Sequence, residues 1–418
     1  MSLSDGPFRS ARCALNAFGR MAEVQLGKML QPATSSAQDI EVPYLRAGHL
    51  SQVPDELPRM WASPGDIAQY RVETGDILVA EGGDVGRVGF VPRSASGALI
   101  QNSLHRVRPK GGRDRRFLAY VLEAVYLGDW LEVLCNKSTF GHLTVEKLTA
   151  LRVPDPPAAE QRAIADYLDT ETARIDALIA KKQRMIELLD ERRQATIHTA
   201  TTQGLGKATN DDGLVEARGF AAPVHWTVAP LSTLCAFQAG KAHEPYIDED
   251  GEFICVNSRF ISTDGQIVKR CNRNLSPARP TDVLMVMSDL PNGRALAKAF
   301  YVEDTGTYAV NQRVCIISPR VIHPRYAYYQ LDRNPGFLRF DDGSNQTHLS
   351  NSMFRKFMMC VPPQEEQRAI AEYLDAITDS IRSASQGLAT QISLLREHRQ
   401  ALITAGVTGE LEVPGVAA

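Results

Sequence analysis

Polar and apolar residues follow two regimes along this 418-residue chain. From Glu160 to about Thr199 there is no proline or glycine, and Ile175, Ile179, Ile186 and Leu189 recur at spacings of three, four and seven. The pattern predicts one amphipathic helix of about 40 residues, about 60 Å long at a rise near 1.5 Å per residue. Pro156 and Pro157 precede it, as residues that cannot sit inside a helix, and Gly204 and Gly206 end it. Ile381, Leu388, Ile392 and Leu395 mark a comparable stripe on a second helix, ended by Gly406 and Gly409. Ser383, Ser385, Gly387 and Thr390 are poor helix formers that together cost about one or two kcal/mol relative to alanine, so a bent or loosely packed middle is expected there. Elsewhere the pattern shortens to strands entered through turns, as at Gly75-Asp76-Ile77-Leu78-Val79 and Thr281-Asp282-Val283-Leu284-Met285.

These two strands are copies. Pro156-Pro157-Ala158-Ala159-Glu160-Gln161-Arg162-Ala163-Ile164-Ala165-Asp166-Tyr167-Leu168-Asp169 returns as Pro362-Pro363-Gln364-Glu365-Glu366-Gln367-Arg368-Ala369-Ile370-Ala371-Glu372-Tyr373-Leu374-Asp375, at the same offset as the strands. Val24-Gln25-Leu26-Gly27-Lys28 matches Phe237-Gln238-Ala239-Gly240-Lys241, and Gln101-Asn102-Ser103-Leu104-His105-Arg106-Val107 matches Asn311-Gln312-Arg313-Val314-Cys315-Ile316-Ile317. Gly-rich loops ending in Gly86-Arg87 and Gly293-Arg294 correspond, as do Ser138 to Thr144 and Ser344 to Ser350. The chain is a tandem duplication whose halves share a fold and differ in most residues. A long helix that is polar around most of its circumference needs a partner for its stripe. The two helices are candidates for each other, antiparallel; the alternative is that each packs on its own domain.

Length and a composition of 44% hydrophobic and 23% charged residues fit two to four globular domains. No apolar run reaches the roughly 18 residues of a membrane span, and the start does not read as a secretion signal, so a cytoplasmic protein is expected. Seven scattered cysteines form no C-x-x-C pair, which argues against a zinc site or a disulfide framework. The net charge of -3 disfavours a wholly basic surface but allows local basic faces. Arg106, Arg108, Lys110, Arg113, Arg115 and Arg116 form one cluster; Arg313, Arg320, Arg325, Arg333 and Arg339, interleaved with Tyr326, Tyr328 and Tyr329, form a second. Each reads either as a nucleic-acid contact or as a solvated loop and helix face.

The paired Pro-Pro-x-x-Glu-Gln-Arg-Ala-Ile-Ala-x-Tyr-Leu-Asp blocks, each followed by a long helix and preceded by a His-Leu turn at His142-Leu143 or His348-Leu349, resemble the specificity subunit of type I restriction-modification systems. The resemblance runs from about Val24 to Leu411. It implies a mixed α/β fold with two globular target-recognition domains, at 1–155 and 207–361, joined by a central helical spacer at 156–206 and a C-terminal spacer at 362–418 that pair as an antiparallel coiled coil. Each domain would read one half of a bipartite, asymmetric double-stranded DNA target. The helices would set the half-site distance and dock two methyltransferase subunits, with restriction subunits completing the nuclease. No cofactor would be bound by this chain; the partners would use S-adenosylmethionine, and ATP with Mg for restriction. The first domain departs from the family pattern at its start, where Phe8 to Leu15 lacks the strand-like character of Trp226-Thr227-Val228-Ala229-Pro230-Leu231, so its opening strand is expected to be absent or altered.

Arg and Lys on phosphates supply affinity, and a few side chains at base edges supply specificity. The candidates are Arg87 and Arg294 at the Gly-rich loops, Lys137, Ser138 and Thr139, Asn345, Gln346 and Thr347, and Arg106, Arg108 and Arg313 from the basic clusters. Arg87 and Arg294 could equally pair with nearby carboxylates. His142 and His348, matched in both halves, read as structural hydrogen bonders. An enzyme reading lacks support: no G-x-x-x-x-G-K-[ST] loop exists, and Asn334-Pro335-Gly336-Phe337, superficially like the Asn-Pro-Pro-Phe of DNA amino-methyltransferases, reads better as a helix cap. Asp248, Glu249 and Asp250 form an acidic loop and not a metal site. A scaffold that joins partners without reading sequence is the second alternative.

Overall fold

The computed structural model describes residues 8, 10–128, 130, 142–206, 214–217, 220–288, 295–304, 306–338 and 349–414. The chain divides into two units, one of Met1–Gln183 with Ala389–Ala418 and one of Arg184–Leu388. Each unit therefore holds one sheet-bearing region and part of each long helix.

In the first unit a four-stranded antiparallel sheet runs in the order Ala22–Leu26, Leu104–Pro109, Ile77–Ala80, Val88–Phe90. A three-stranded sheet runs Arg59–Ala62, Ile40–Leu45, Leu99–Ile100, its first pair antiparallel and its second parallel. The strand Ile77–Ala80 is apolar throughout because both of its faces are covered. Ile77 and Val79 pack with Phe117, Leu118 and Val121 of the helix Arg115–Leu127, whereas Leu78 turns to Leu45, Val72 and Ile100.

The second unit repeats the plan. Its four strands run Cys235–Ala239, Val314–Pro319, Val283–Val286, Ala299–Tyr301, and its three run Arg270–Cys271, Phe253–Val256, Tyr308–Val310. Val283 and Met285 face one core cluster, with Tyr326 and Tyr329 of the helix Pro324–Leu331; Leu284 and Val286 face another, with Val256 and Ile261. Even the turn that feeds the central strand is kept. Gly75 has φ +84° and Thr281 has φ +74°, and their N–H groups donate to Val91 and Val302 at 2.9 and 2.8 Å.

The opening strand of the first domain is present but altered, three residues long against four in the second domain. Leu15–Ala17 pairs antiparallel with Arg152–Pro154, as Thr227–Pro230 pairs with Met358–Val361. At three residues, with an asparagine in the middle, it carries too little pattern to read from sequence. Phe8, 1% exposed, joins the same core as Phe18 and Val153.

The long helices are Ala158–Gln203 and Gln364–Thr408, of 46 and 45 residues. Gly204 and Gly409 stop them at φ +84° and +77°, the left-handed conformation that glycine adopts without penalty. Gly406, expected at the end, lies inside the second helix, where an added Cβ would stand 3.0 Å from Leu168 Cδ2. The helix also runs unbroken through Ser383, Ser385, Gly387 and Thr390. Within the first unit Leu168 faces Gly406, Asp176 pairs with Arg399 at 3.1 Å, and Lys182 Nζ donates to Gln391 at 2.6 Å. Partners descend one helix as they ascend the other, which is antiparallel packing. Within the second unit the end of one helix at Gly204 lies against Glu366 at the start of the other. Of the stripe residues, Ile175 and Ile392 are buried, while Ile179, Ile186, Leu189, Ile381, Leu388 and Leu395 are half-buried.

The repeated block is the joint between sheet region and helix. Gln161 Nε2 donates to the carbonyl of Pro156 at 2.8 Å while its Oε1 accepts the N–H of Asp114, the N-cap of the helix Arg115–Leu127, at 3.0 Å. Gln367 does the same with Pro362 at 2.7 Å and with His323, the N-cap of Pro324–Leu331, at 2.7 Å. Ile164, Ala165 and Leu168, and Ile370, Ala371 and Leu374, are buried in their units' cores. The closing aspartates hold the same two helices from the other side: Asp169 takes Arg116 and the Tyr120 hydroxyl, both at 2.7 Å, and Asp375 takes Arg325 at 2.6 Å and the Tyr329 hydroxyl.

Candidate nucleic-acid interface

In each unit one polar turn is stitched into place by the same backbone hydrogen bonds. Glycine is required first: a Cβ on Gly27 would stand 2.3 Å from the Gln101 carbonyl oxygen, and one on Gly240 2.2 Å from that of Asn311. Gly27 N–H donates to Leu104 and Gly240 N–H to Val314, both at 2.9 Å. The following lysines, Lys28 and Lys241, bridge in parallel to Gln101 and Asn311. Gln101 N–H reaches Leu45 at 2.8 Å, and Asn311 N–H reaches Val256 at 2.9 Å. Glu81 and Met287 donate to Ser103 and Arg313, both at 2.9 Å, and accept from Leu143 and Leu349 at 3.1 and 2.8 Å. Both leucines are buried, which is why the His-Leu pair recurs ahead of each helix.

On this shared frame the side chains diverge. In the first unit Ser103 Oγ accepts from Ala47 N–H and donates to Gln101 Oε1, both at 3.0 Å. Arg313 stands in the matching place of the second unit, exposed and, among the described residues, without a carboxylate partner. Asn311 donates to Glu244 Oε1 at 3.0 Å, and this bond holds the Glu244 carboxyl below its ordinary pKa. His105, in the strand behind the turn, is buried and bonded to the Leu143 carbonyl at 2.6 Å, and burial pushes its imidazole below the ordinary pKa; Cys315 replaces it in the second unit. His142 meets Glu81 Oε2 at 3.1 Å, the structural bond expected of it.

The Gly-rich loop of the first unit turns through Gly83 and Gly86 at φ +80° and +82°. Arg87 at its end pairs with Asp84 at 3.0 Å, and Asp84 also accepts from Tyr126 at 2.8 Å. Its guanidinium is half-exposed and lines a cavity of about 450 Å³ shared with Arg116, Tyr120, Tyr126 and Arg399. Arg294, Lys137, Ser138, Thr139, Asn345, Gln346 and Thr347, and His348, lie outside the described residues.

Several arginines of both basic clusters are engaged within the protein, while Lys110, Arg115, Arg313 and Arg320 are exposed. Arg106 is 5% exposed and donates to the carbonyls of Gln69 and Arg71 at 3.1 and 2.5 Å, so it is not open to a phosphate. Arg108 grips Asp76 with two bonds of 2.8 and 2.7 Å, and Arg113 grips Asp155 likewise. Arg116 is held by Asp166 and Asp169. In the second cluster Arg325 pairs with Asp375 and Glu303 and lies over the rings of Tyr301, Tyr328 and Tyr329. Arg116 and Arg325 fasten the domain helices to the repeated block. Asn334 caps as expected: its Oδ1 accepts from Gly336 N–H at 2.8 Å while its Nδ2 donates to Gln330 at 2.7 Å.

Sequence reasoning missed residues on, or in contact with, the segments that follow Lys28 and Lys241. Met29 and Leu30 are 75% and 41% exposed, and Arg273 lies 5.2 Å from the centre of the Tyr246 ring. The signal was available, because the chain departs from its own repeat immediately after each Gly-Lys.

The chain matches the family described as type I restriction modification DNA specificity domain twice, over residues 18–188 and 223–393. It is 26% identical over 193 residues to the EcoDI specificity subunit of Escherichia coli, a match covering 45% of this chain and 39% of that one. It is 21% identical over 378 residues to the putative MjaX specificity subunit of Methanocaldococcus jannaschii, covering 87% and 84%. A solved structure from work on complex assembly and conformational transition of the type I restriction-modification system shares its fold, with a TM-score of 0.69 at 16% identity over 94% of this chain and 98% of that one. The two family matches fall on the two halves of the duplication, and the chain belongs to the type I restriction-modification DNA specificity family.

Proposed function

We propose that this chain is the sequence-reading subunit of a type I restriction-modification complex, each domain reading one half of a bipartite, asymmetric duplex. The observation that carries it is the pair of identically stitched turns bearing unlike side chains, Ser103 in one and Arg313 in the other. Two readers of different half-sites need a common frame and different contacts. The two long helices form an antiparallel coiled-coil spacer that holds the readers about one turn of DNA apart, roughly 34 Å.

The same helices dock two methyltransferase subunits. Leu188 and Leu394, 47% and 57% exposed, occupy matching places in the two helix copies, and Arg162 and Arg368 are exposed in matching first turns. Exposed positions that stay alike within a diverged duplication fit one partner bound twice. Restriction subunits join this assembly; S-adenosylmethionine, and ATP with Mg, serve the partners, while this chain supplies recognition and no reaction.

Binding of the chain with its methyltransferase partner to duplexes at fixed salt tests the reading. One asymmetric bipartite duplex is expected to bind far more tightly than scrambled DNA. Equal binding to both would instead support a scaffold, and methylation by the chain alone would overturn the non-catalytic role.

A further inference from the structure

Beside each stitched turn a segment is tied to a strand in the same way, and the exposed side chains around the two ties are of opposite chemistry. In the first unit Trp61 N–H donates to the Gln31 carbonyl at 2.9 Å, tying the strand Arg59–Ala62 to the segment leaving Lys28. In the second, Asn272 N–H donates to the Tyr246 carbonyl at 3.0 Å, tying the strand Arg270–Cys271 to the segment leaving Lys241. The first segment presents Met29 and Leu30 on a stiff loop. Asp39 Oδ2 accepts from Gln31 Nε2, Ser35 N–H, Ser35 Oγ and Ser36 N–H at 2.9, 2.8, 2.9 and 3.1 Å.

The second segment braces cations that flank the strand Arg270–Cys271. Arg273 and Lys269 are exposed, and among the described residues neither pairs with a carboxylate. The nearby Asp248 is turned elsewhere, to Asp250 N–H at 3.1 Å and Asn272 Nδ2 at 3.5 Å, and Arg270 donates to the Gly251 carbonyl at 3.2 Å. Tyr246 holds the Arg273 guanidinium over its ring, which restricts a planar fork before any ligand arrives.

We infer that the first segment and the flanks of the strand Arg270–Cys271 determine half-site specificity, resting on the function proposed above: Met29 and Leu30 pack on thymine methyl groups in the first half-site, and Arg273 donates to a guanine in the second, with Lys269 on a phosphate. The major groove offers one apolar group, the thymine C5-methyl, and guanine O6 and N7 match a guanidinium fork. An apolar pair exposed on a braced loop gains nothing from water and gains contact area from such a methyl.

The test uses the chain with its methyltransferase partner and sequencing of the bases it methylates. The wild-type motif should contain thymine in one half and guanine in the other; a motif lacking either overturns the inference. M29A/L30A should relax the thymine-bearing half alone, and R273A the guanine-bearing half alone. R273K should relax the same guanine while leaving the salt slope of binding unchanged, because it keeps the charge and loses the fork. K269A should reduce that slope by about 1 without changing the motif. Thermal unfolding of each variant separates lost contacts from lost fold. Wild-type binding with no sequence preference refutes the proposed function itself; a clear wild-type motif kept unchanged by M29A/L30A and R273A refutes only this assignment.

Discussion

Gln367 and His323 are joined at 2.7 Å, the amide oxygen of the one accepting the backbone N–H of the other, and Gln161 and Asp114 repeat the bond at 3.0 Å. Both glutamines are 1% exposed, and each also donates to the carbonyl ahead of a proline that starts a long helix. The glutamine thus fixes where a domain helix begins relative to a long helix. Gln367→Ala leaves a part-buried N–H and a buried carbonyl unpaired, an expected loss of about 1–3 kcal/mol in denaturant unfolding. Gln161→Ala should cost a similar amount. A change within a few tenths of a kcal/mol would show the bonds to be incidental.

Gly27→Ala and Gly240→Ala should each destabilise by about 1–3 kcal/mol, the range for forcing extra volume into a packed site, since a carbonyl oxygen lies 2.3 or 2.2 Å from the new methyl. Gly48→Ala is the control, with open space around its Cβ position. Because Gly27 and Gly240 set the turns at Gln101 and Asn311, each variant should also weaken recognition of one half-site only. Sequencing of methylated bases reads that asymmetry.

The duplication, the two helices and the central strands were legible because each repeats a pattern over many residues. The roles inside the repeated block were not. Gln161 reads as one polar residue among several until the fold brings Asp114 to it, 47 positions earlier in sequence. The basic run Arg106 to Arg116 misleads for the same reason. Its counter-charges, Asp76, Asp155 and Asp169, lie 32, 42 and 53 positions away, so the cluster looks uncompensated along the chain and is paired in space.

Arg106 and Arg313 should therefore separate cleanly. Arg106→Ala strands the carbonyls of Gln69 and Arg71 and lowers stability, with the salt slope of DNA binding unchanged. Arg313→Ala is expected to leave the melting temperature in place, to weaken binding with that slope reduced by about 1, and to relax one half-site only. A slope lowered by Arg106→Ala in a folded protein would return that residue to the interface.

Acid stability should depend on Asp155. Its carboxyl is held below the ordinary value of 3.8, first by hydrogen bonds from Arg113, with Asn16 and Gln161 adding to them. A folded-state pKa lower than the unfolded one means that the stabilisation is complete above the unfolded value and fades as pH falls through the folded one. Asp155→Asn should lower stability near neutrality and shrink the further loss between about pH 5 and the acid limit. Parallel wild-type and variant curves of stability against pH would refute this.

The long helices give the most direct test of the proposed spacer. Ala180 is exposed in the first long helix, away from the stripe of Ile175, Ile179 and Ile186, so added residues there need not bury polar groups. Four inserted residues add about one helical turn, roughly 5.4 Å, against a base-pair rise near 3.4 Å. The domains and their loops stay intact, so both half-sites should be kept while the preferred gap between them changes. A matching insertion near Leu394, four residues on the facing stretch of the second helix, restores the antiparallel register and should sharpen the new preference. Sequencing methylated bases for the wild type and both variants measures half-sites and gap together. An unchanged gap would show that the distance is set by something other than these two helices.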